Sequence, residues 1–262
     1  MQRRQFLGGT AAVGGAALAG QVGGTDADVD VRSGDGPKTP SVPVGEADGG
    51  WVVDRERSGT FTESRMGVTS RGTTIVYRDE GLSETLRQRT MGTGFEDLRM
   101  FFATRIEYSP AVDRLPFGVG RSVVVDRTES NARDRFQQRL EEAGLDDIER
   151  RESRRIDVAD GPTTDLLLYD AVYPYDGFEF DAGDSVVSVA GEPVGVEGLL
   201  AVWYDRDASA TFVAGAVNPA ENYEKRVERQ VTEAVDLTLD IDLGLTPDAY
   251  RQESLDLIRS VN

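Results

Sequence analysis

Four carboxylates, Asp176, Glu179, Asp181 and Asp184, follow closely on Tyr169, Tyr173 and Tyr175. Two acids held about 5 to 9.5 Å apart in a cleft can hydrolyse a glycosidic bond, and aromatic faces commonly line sugar sites. The same oxygens could ligate calcium or sodium, both hard cations, with Asp240 and Asp242 a poorer pair. The chain carries 47 Asp and Glu, so acids fall near aromatics by composition alone, and a solvated acidic face is the simpler account of the cluster. A second constellation is aromatic. Trp203, Tyr204, Tyr173 and Tyr175 would line a groove for a partner or small ligand, with Arg99 or Arg105 touching an anion. The alternative for each is core packing or surface solvation.

What the chain lacks narrows the chemistry further. It contains no His and no Cys. Ser-His-Asp and Cys-His nucleophiles, imidazole or thiolate zinc sites and Cys-held iron–sulfur clusters are therefore excluded. Lysine occurs only at Lys38 and Lys225, and Lys225 sits among Glu224, Arg226 and Glu228, which argues against Ser-Lys chemistry. Gly118-Val119-Gly120 lacks the third glycine of a dinucleotide loop. No catalytic residue is assigned and no cofactor is expected.

Charge constrains the partners. The 29 basic residues face 47 acidic ones, a net charge of -18. Heavy acid with scarce Lys resembles proteins of extreme halophiles, where molar salt shortens the Debye length to about 3 Å. No basic stripe exists to displace counterions from phosphates, so nucleic acid and anionic membranes are not expected partners.

The first residues read as an address. Arg3 and Arg4 form a charged region, Phe6 to Leu18 a weakly apolar one, and Ala17-Leu18-Ala19 a small-residue cleavage site. The segment resembles a twin-arginine signal peptide, R-R-x-F-L, through Arg3, Arg4, Phe6 and Leu7. That resemblance implies export of the folded chain by the twin-arginine translocase, with residues 1–19 as signal. Gln21 stands where a lipoprotein pattern places Cys, so no lipid anchor is expected. Residues 20–50, rich in Gly, Asp, Ser and Pro, read as a disordered acidic linker. Within it Asp26, Asp28 and Asp30 begin like a calcium loop, but Val31 and Pro37 replace its Gly and Glu.

From Trp51 onward the pattern predicts an ordered domain, 51–262, with a conceivable break into two subdomains near 110–120. Strands are expected at 51–57, 66–78, 99–108, 122–127, 147–158, 164–175, 178–180, 186–190, 198–205 and 211–217. The triplet Leu166-Leu167-Leu168 is apolar on both faces and predicts a strand covered on each side. Ser83 would cap a short helix to Arg89. Ala132, Phe136, Leu140 and Ala143 give helical spacing that Gly144 ends. Pro219 would open a helix carrying Tyr223, Val227, Val231 and Val235. Leu237, Leu239, Ile241 and Leu243 alternate as a half-buried strand, and Thr246 with Pro247 would start a last helix presenting Tyr250, Leu257, Ile258 and Val261.

This order predicts an α+β fold, a mostly antiparallel sheet with helices packed on it. The strand pair Leu199 to Val217, with Pro219 after Ala214-Gly-Ala-Val-Asn218, resembles the PsbP-like sandwich, which implies a long helix after Pro219. As a whole the chain also resembles a family of haloarchaeal exported proteins of unknown function. The expected function is an exported, noncatalytic binding or envelope-associated module, extracellular or on the cell surface, whose partner is an envelope protein or glycan. The alternatives are a carboxylate-based glycoside hydrolase and a structural envelope component.

Overall fold

The computed structural model describes residues 36–44, 50–65, 67–90, 92, 98–114, 121–159, 161–182, 185–232 and 235–262. The elements in chain order are β1 (Trp51–Arg65), β2 (Val68–Asp79), α1 (Glu80–Arg89), β3 (Met100–Ser109), a single 3-10 turn (Val112–Arg114) and α2 (Arg121–Glu142). They continue with β4 (Asp146–Asp157), β5 (Thr163–Tyr173), β6 (Gly177–Ala182), β7 (Ser185–Ala190), β8 (Val194–Asp205) and β9 (Ala210–Pro219). The chain ends with β10 (Glu224–Thr232), β11 (Val235–Asp242) and α3 (Pro247–Ser260).

Seven strands form one antiparallel sheet in the order β1-β2-β3-β9-β8-β5-β4, and β6-β7 and β10-β11 are separate hairpins. The predicted α+β class is therefore the observed one. Strand alternation sorts side chains to opposite faces. Leu167, Tyr169, Leu200, Val202 and Val213 join Leu82 and Leu86 of α1, Ala132, Phe136 and Leu140 of α2, and Phe178 and Ile241 of the hairpins in one core. Leu166, Leu168, Leu199, Ala201, Phe212 and Ala214 form a second core with Leu257 and Ile258 of α3 and Val261 just after it. The expectation for Leu166-Leu167-Leu168 holds: the triplet feeds both cores. Each large apolar side chain so buried contributes about 1.5–3 kcal/mol.

The central strand β9 owes its place to composition. Ala210 to Ala216 are all buried, and Gly215 leaves space that a Cβ would contest, 2.6 Å from the Phe102 ring and 2.7 Å from the Leu199 carbonyl. The helix α2 ends as predicted. Gly144 adopts φ 78°, its N–H donates to the Glu141 carbonyl, and the Leu145 N–H donates to the Leu140 carbonyl. That pair of bonds is a Schellman closure, with Leu145 and Leu140 as its apolar contact.

Several expectations are corrected. Residues 122–127 are helical, not a strand, because α2 begins at Arg121. The run Val123-Val124-Val125 favours strand locally, but extending an existing helix adds one hydrogen bond per residue without a new nucleus. The helix expected after Pro219 is the hairpin β10-β11. Spacing by four suits a helix but is also a multiple of two, so Tyr223 and Val227 line one face of an extended segment just as well. The long helix implied by the PsbP-like resemblance is thus absent. The cap of α1 is Asp79, whose side chain accepts from the Leu82 N–H, while the Ser83 hydroxyl donates to the Asp79 carbonyl. Thr246 precedes α3 without a side-chain capping bond.

Strands from both sides of residues 110–120 pair directly, Met100 opposite Val217, so the two subdomains considered there share a single sheet. Part of the expected linker also packs on the domain. Ser41 and Asn262 exchange backbone hydrogen bonds of 2.7 and 3.2 Å, Thr73 Oγ1 donates to the Pro37 carbonyl, and Val42 and Val44 pack against the α3 core. The signal segment with Arg3 and Arg4, Asp26 to Asp30, and Gly118-Val119-Gly120 lie outside the described residues. Both sheet edges are blunted against further pairing: β4 is exposed along nearly its whole length, mixes acids with Arg and carries two register shifts, and β1 is shifted between Asp54 and Gly59.

Candidate functional site

The predicted aromatic set is divided between the two faces of the sheet. Trp203 is buried on the α3 side, stacked on Phe212 with ring centroids 5.6 Å apart. Arg105 lies on the same side with its guanidinium 5.5 Å from the Phe212 centroid and 3.3 Å from Glu107. Tyr173 and Tyr175 are buried in the α2-side core, where Tyr175 meets Tyr223 edge to face at 5.8 Å. Tyr204 is buried and donates from Oη to Asp113 Oδ2 at 2.9 Å. These side chains do not gather in one groove, because alternation along β5 and β8 sends neighbours to opposite cores.

Two members of the expected metal set, Asp176 and Glu179, have described side chains. Asp176 and Glu179 are exposed, Asp184 lies outside the described residues, and the side chain of Asp181 is not described. Phe178 and Phe180, on the other face of β6, pack at 6.1 Å. Among the described residues no three carboxylates are placed to hold a metal ion.

What sequence reasoning missed is a polar row crossing the α3 face of the sheet. It runs through laterally adjacent residues: Trp51 opposite Asp79, Asp79 N–H on the Arg99 carbonyl, Asn218 opposite Glu197, and Glu197 opposite Asp170. Arg99 joins its two halves. Its guanidinium donates to Asp79 Oδ2 at 2.8 Å, to Glu253 Oε2 at 2.8 Å and to Asn218 Oδ1 at 3.3 Å. The rings of Trp51 and Tyr250 lie 4.6 and 4.5 Å from it, and Trp51 Nε1 donates to Glu253 Oε1 at 2.7 Å. Two strands away Glu197, 1 % exposed, accepts from Arg251 Nε at 2.6 Å and Arg151 Nη2 at 3.0 Å. The bond to Glu197 raises the Arg251 pKa. The signal for this row was present in the sequence: Glu197 interrupts Val194-Gly-Val and Leu199-Leu-Ala-Val, and a charge inside an apolar run is a buried, paired charge.

Chemically the buried charged groups of the row are paired, while Asn218 accepts through Oδ1 from Arg99 and Ser254 and its Nδ2 is buried without a hydrogen-bond partner. Asp79 and Glu197, the buried carboxylates among the described residues, are each bound by Arg. They sit on β2 and β8, three strand spacings apart, a separation of about 14 Å. That exceeds the span of a glycosidase acid pair, about 5 to 9.5 Å. The row fastens α3 and the start of β1 to the sheet.

The opposite face holds a cleft of ≈ 50 Å³ between the strands and the N-terminal half of α2, lined by Phe61, Glu63, Ser70, Ile106, Tyr108, Thr128 and Asn131. Two lateral rows build it. Phe61, Gly72 and Ile106 are opposite one another and form an apolar floor, and Glu63, Ser70 and Tyr108 form a polar row beside it. Gly72 makes the floor feasible: a Cβ there would stand 2.4 Å from the Phe61 ring. Tyr108 Oη lies 3.0 Å from both Thr128 Oγ1 and Thr211 Oγ1. Burial raises the Tyr108 pKa, against the opposing effect of those two hydroxyls, so the phenol stays protonated at neutral pH.

No curated protein and no solved structure matches the chain. A family model described as a domain of unknown function covers residues 39–262, taking in the packed segment beside Asn262 as well as the sheet and all three helices, and the chain therefore belongs to that family, DUF6517.

Proposed function

We propose that this chain is an exported, noncatalytic binding module that works in molar salt at or beyond the cell surface. The observation that supports it is the pairing of the buried charged groups that could act on a substrate: Asp79, Arg99 and Glu197 spend their hydrogen bonds on one another, on α3 and on Arg151 of β4. Groups so engaged hold a scaffold rigid and leave recognition to the surface. The twin-arginine pattern at Arg3 and Arg4 supports export, and the acidic surface suits a salty exterior. The partner is an envelope protein or glycan.

The test is a pulldown from envelope extracts in molar KCl, using the protein as bait and an acidic protein of similar charge as control. Retention of a discrete protein or glycan absent from the control is the expected result. Turnover of a polysaccharide panel, abolished by substituting one carboxylate, would overturn the noncatalytic reading.

A further inference from the structure

The geometry points to the cleft between α2 and the β1-β2-β3 end of the sheet as a site for a neutral sugar, held by the diol edge of its ring. This rests on the binding-module reading and names the ligand chemistry of one surface. The volume sets the scale. A water needs roughly 10–15 Å³ of such space, so ≈ 50 Å³ admits a few water-sized groups: two adjacent hydroxyls and the carbons between them, with the remainder of the ring in solvent.

The lining fits that edge. Phe61 and Ile106 present buried apolar surface to C–H groups. Asn131, half-buried on α2, makes no hydrogen bond to any described residue, so its amide offers both donors and an acceptor. Opposite it Glu63 offers carboxylate oxygens, and the Ser70 hydroxyl, which donates to the Glu63 carbonyl at 3.4 Å, keeps its capacity to accept. A diol hydroxyl donates and accepts at once, and a carboxylate facing a primary amide answers both needs.

The charge around the cleft selects among ligands. Glu63 is the one ionised side chain among its lining residues, so an anionic sugar meets a carboxylate at contact range, where even molar salt screens little. A cationic side chain would have to share Glu63 with Arg65, which does not line the cleft but whose Nε lies 3.5 Å from Glu63 Oε1. What remains on offer is hydrogen bonding over an apolar floor, which suits a neutral polyol.

The experiment is ¹H–¹⁵N NMR of the full chain in molar KCl, titrated separately with glucose, mannose, galactose, glucuronate and Nα-acetyl-lysine amide. At least one neutral hexose should give saturable shifts at Ser70, Thr128 and Asn131 with a millimolar Kd, and glucuronate should bind at least about tenfold more weakly. Asn131→Leu should weaken the hexose about five- to tenfold with an unchanged CD spectrum, and Glu63→Gln should narrow the gap between hexose and glucuronate. No saturable shift from any neutral hexose, equal affinity in Asn131→Leu, or tighter binding of the lysine amide would each overturn the proposal. If the cleft fails these tests while the pulldown retains a partner, the module reading stands and recognition lies on another surface.

Discussion

Arg99 donates to Asp79 across 2.8 Å with only 3 % and 5 % of the two side chains exposed, joining β2 to the start of β3 directly beneath α3. Both groups have left water, so Asp79 depends on Arg99 for its charge compensation, while Arg99 divides its charge between Asp79 and Glu253. Arg99→Met should destabilise the fold by about 3–5 kcal/mol, because Asp79 is left buried and unpaired. Arg99→Lys should recover only part of that loss, since one ammonium cannot reproduce the planar fork that also reaches Glu253 and Asn218. Denaturant titration in molar KCl measures both, and equal stability of all three proteins would refute the clamp.

Gly72 faces the Phe61 ring at the floor of the cleft. Gly72→Ala forces a Cβ to 2.4 Å from two ring carbons, so the ring must move or the strands must part. The expected cost is about 1–3 kcal/mol, with ring shifts visible in the aromatic NMR region. A silent substitution would show that the floor is looser than drawn.

The segment 36–44 acts as a strap over the α3 core. A chain beginning at Gly50 loses the mutual Ser41–Asn262 bonds and uncovers the apolar surface beneath Val42 and Val44. Burial of two such side chains implies a loss of about 2–4 kcal/mol, read by thermal unfolding. Identical melting of the two chains would place the domain boundary after the strap.

Asp242 joins β11 to the turn before α3. Its pKa is lowered first by the Asn222 side chain, which donates at 2.9 Å, and then by the Gly244 N–H, which donates at 2.7 Å. A depressed carboxyl stabilises the fold above its ordinary value near 3.8, and that contribution is lost as pH falls through the lower folded value. Acid titration should shift the Gly244 amide resonance at a midpoint below 3.8, and Asp242→Ala should abolish that titration. A midpoint at or above the ordinary value would contradict the assigned bonds.

Salt should govern folding. Residues 20–262, without Arg3 and Arg4, carry 27 basic against 47 acidic residues, a charge of -20. With the Debye length lengthened from about 3 Å in molar salt to about 30 Å at 0.01 M, those carboxylates repel across the whole surface. Circular dichroism should show cooperative folding in molar KCl and loss of structure on dialysis. An unchanged spectrum in dilute buffer would refute this.

The sequence by itself determined the α+β class, the two-faced burial of Leu166-Leu167-Leu168, the β8-β9 hairpin and the Gly144 helix stop. Each rests on local rules: alternation, turn chemistry and a left-handed glycine. Its errors arose where a local pattern was ambiguous, as with the four-residue spacing from Tyr223, or where a neighbour prevailed over propensity, as with Val123-Val124-Val125 inside α2. Tertiary structure alone decided which side chains meet. Trp203 and Tyr204 adjoin in sequence, yet Trp203 enters the α3-side core while Tyr204 bonds Asp113, whereas Asp79, Arg99, Asn218 and Glu197, far apart along the chain, converge because strand order and register place them in one row beneath α3, where Glu253 of that helix meets Arg99. The cleft has the same origin: Phe61, Gly72, Ile106 and Asn131 are unremarkable one by one, and only lateral pairing and the path of α2 set them around a shared space.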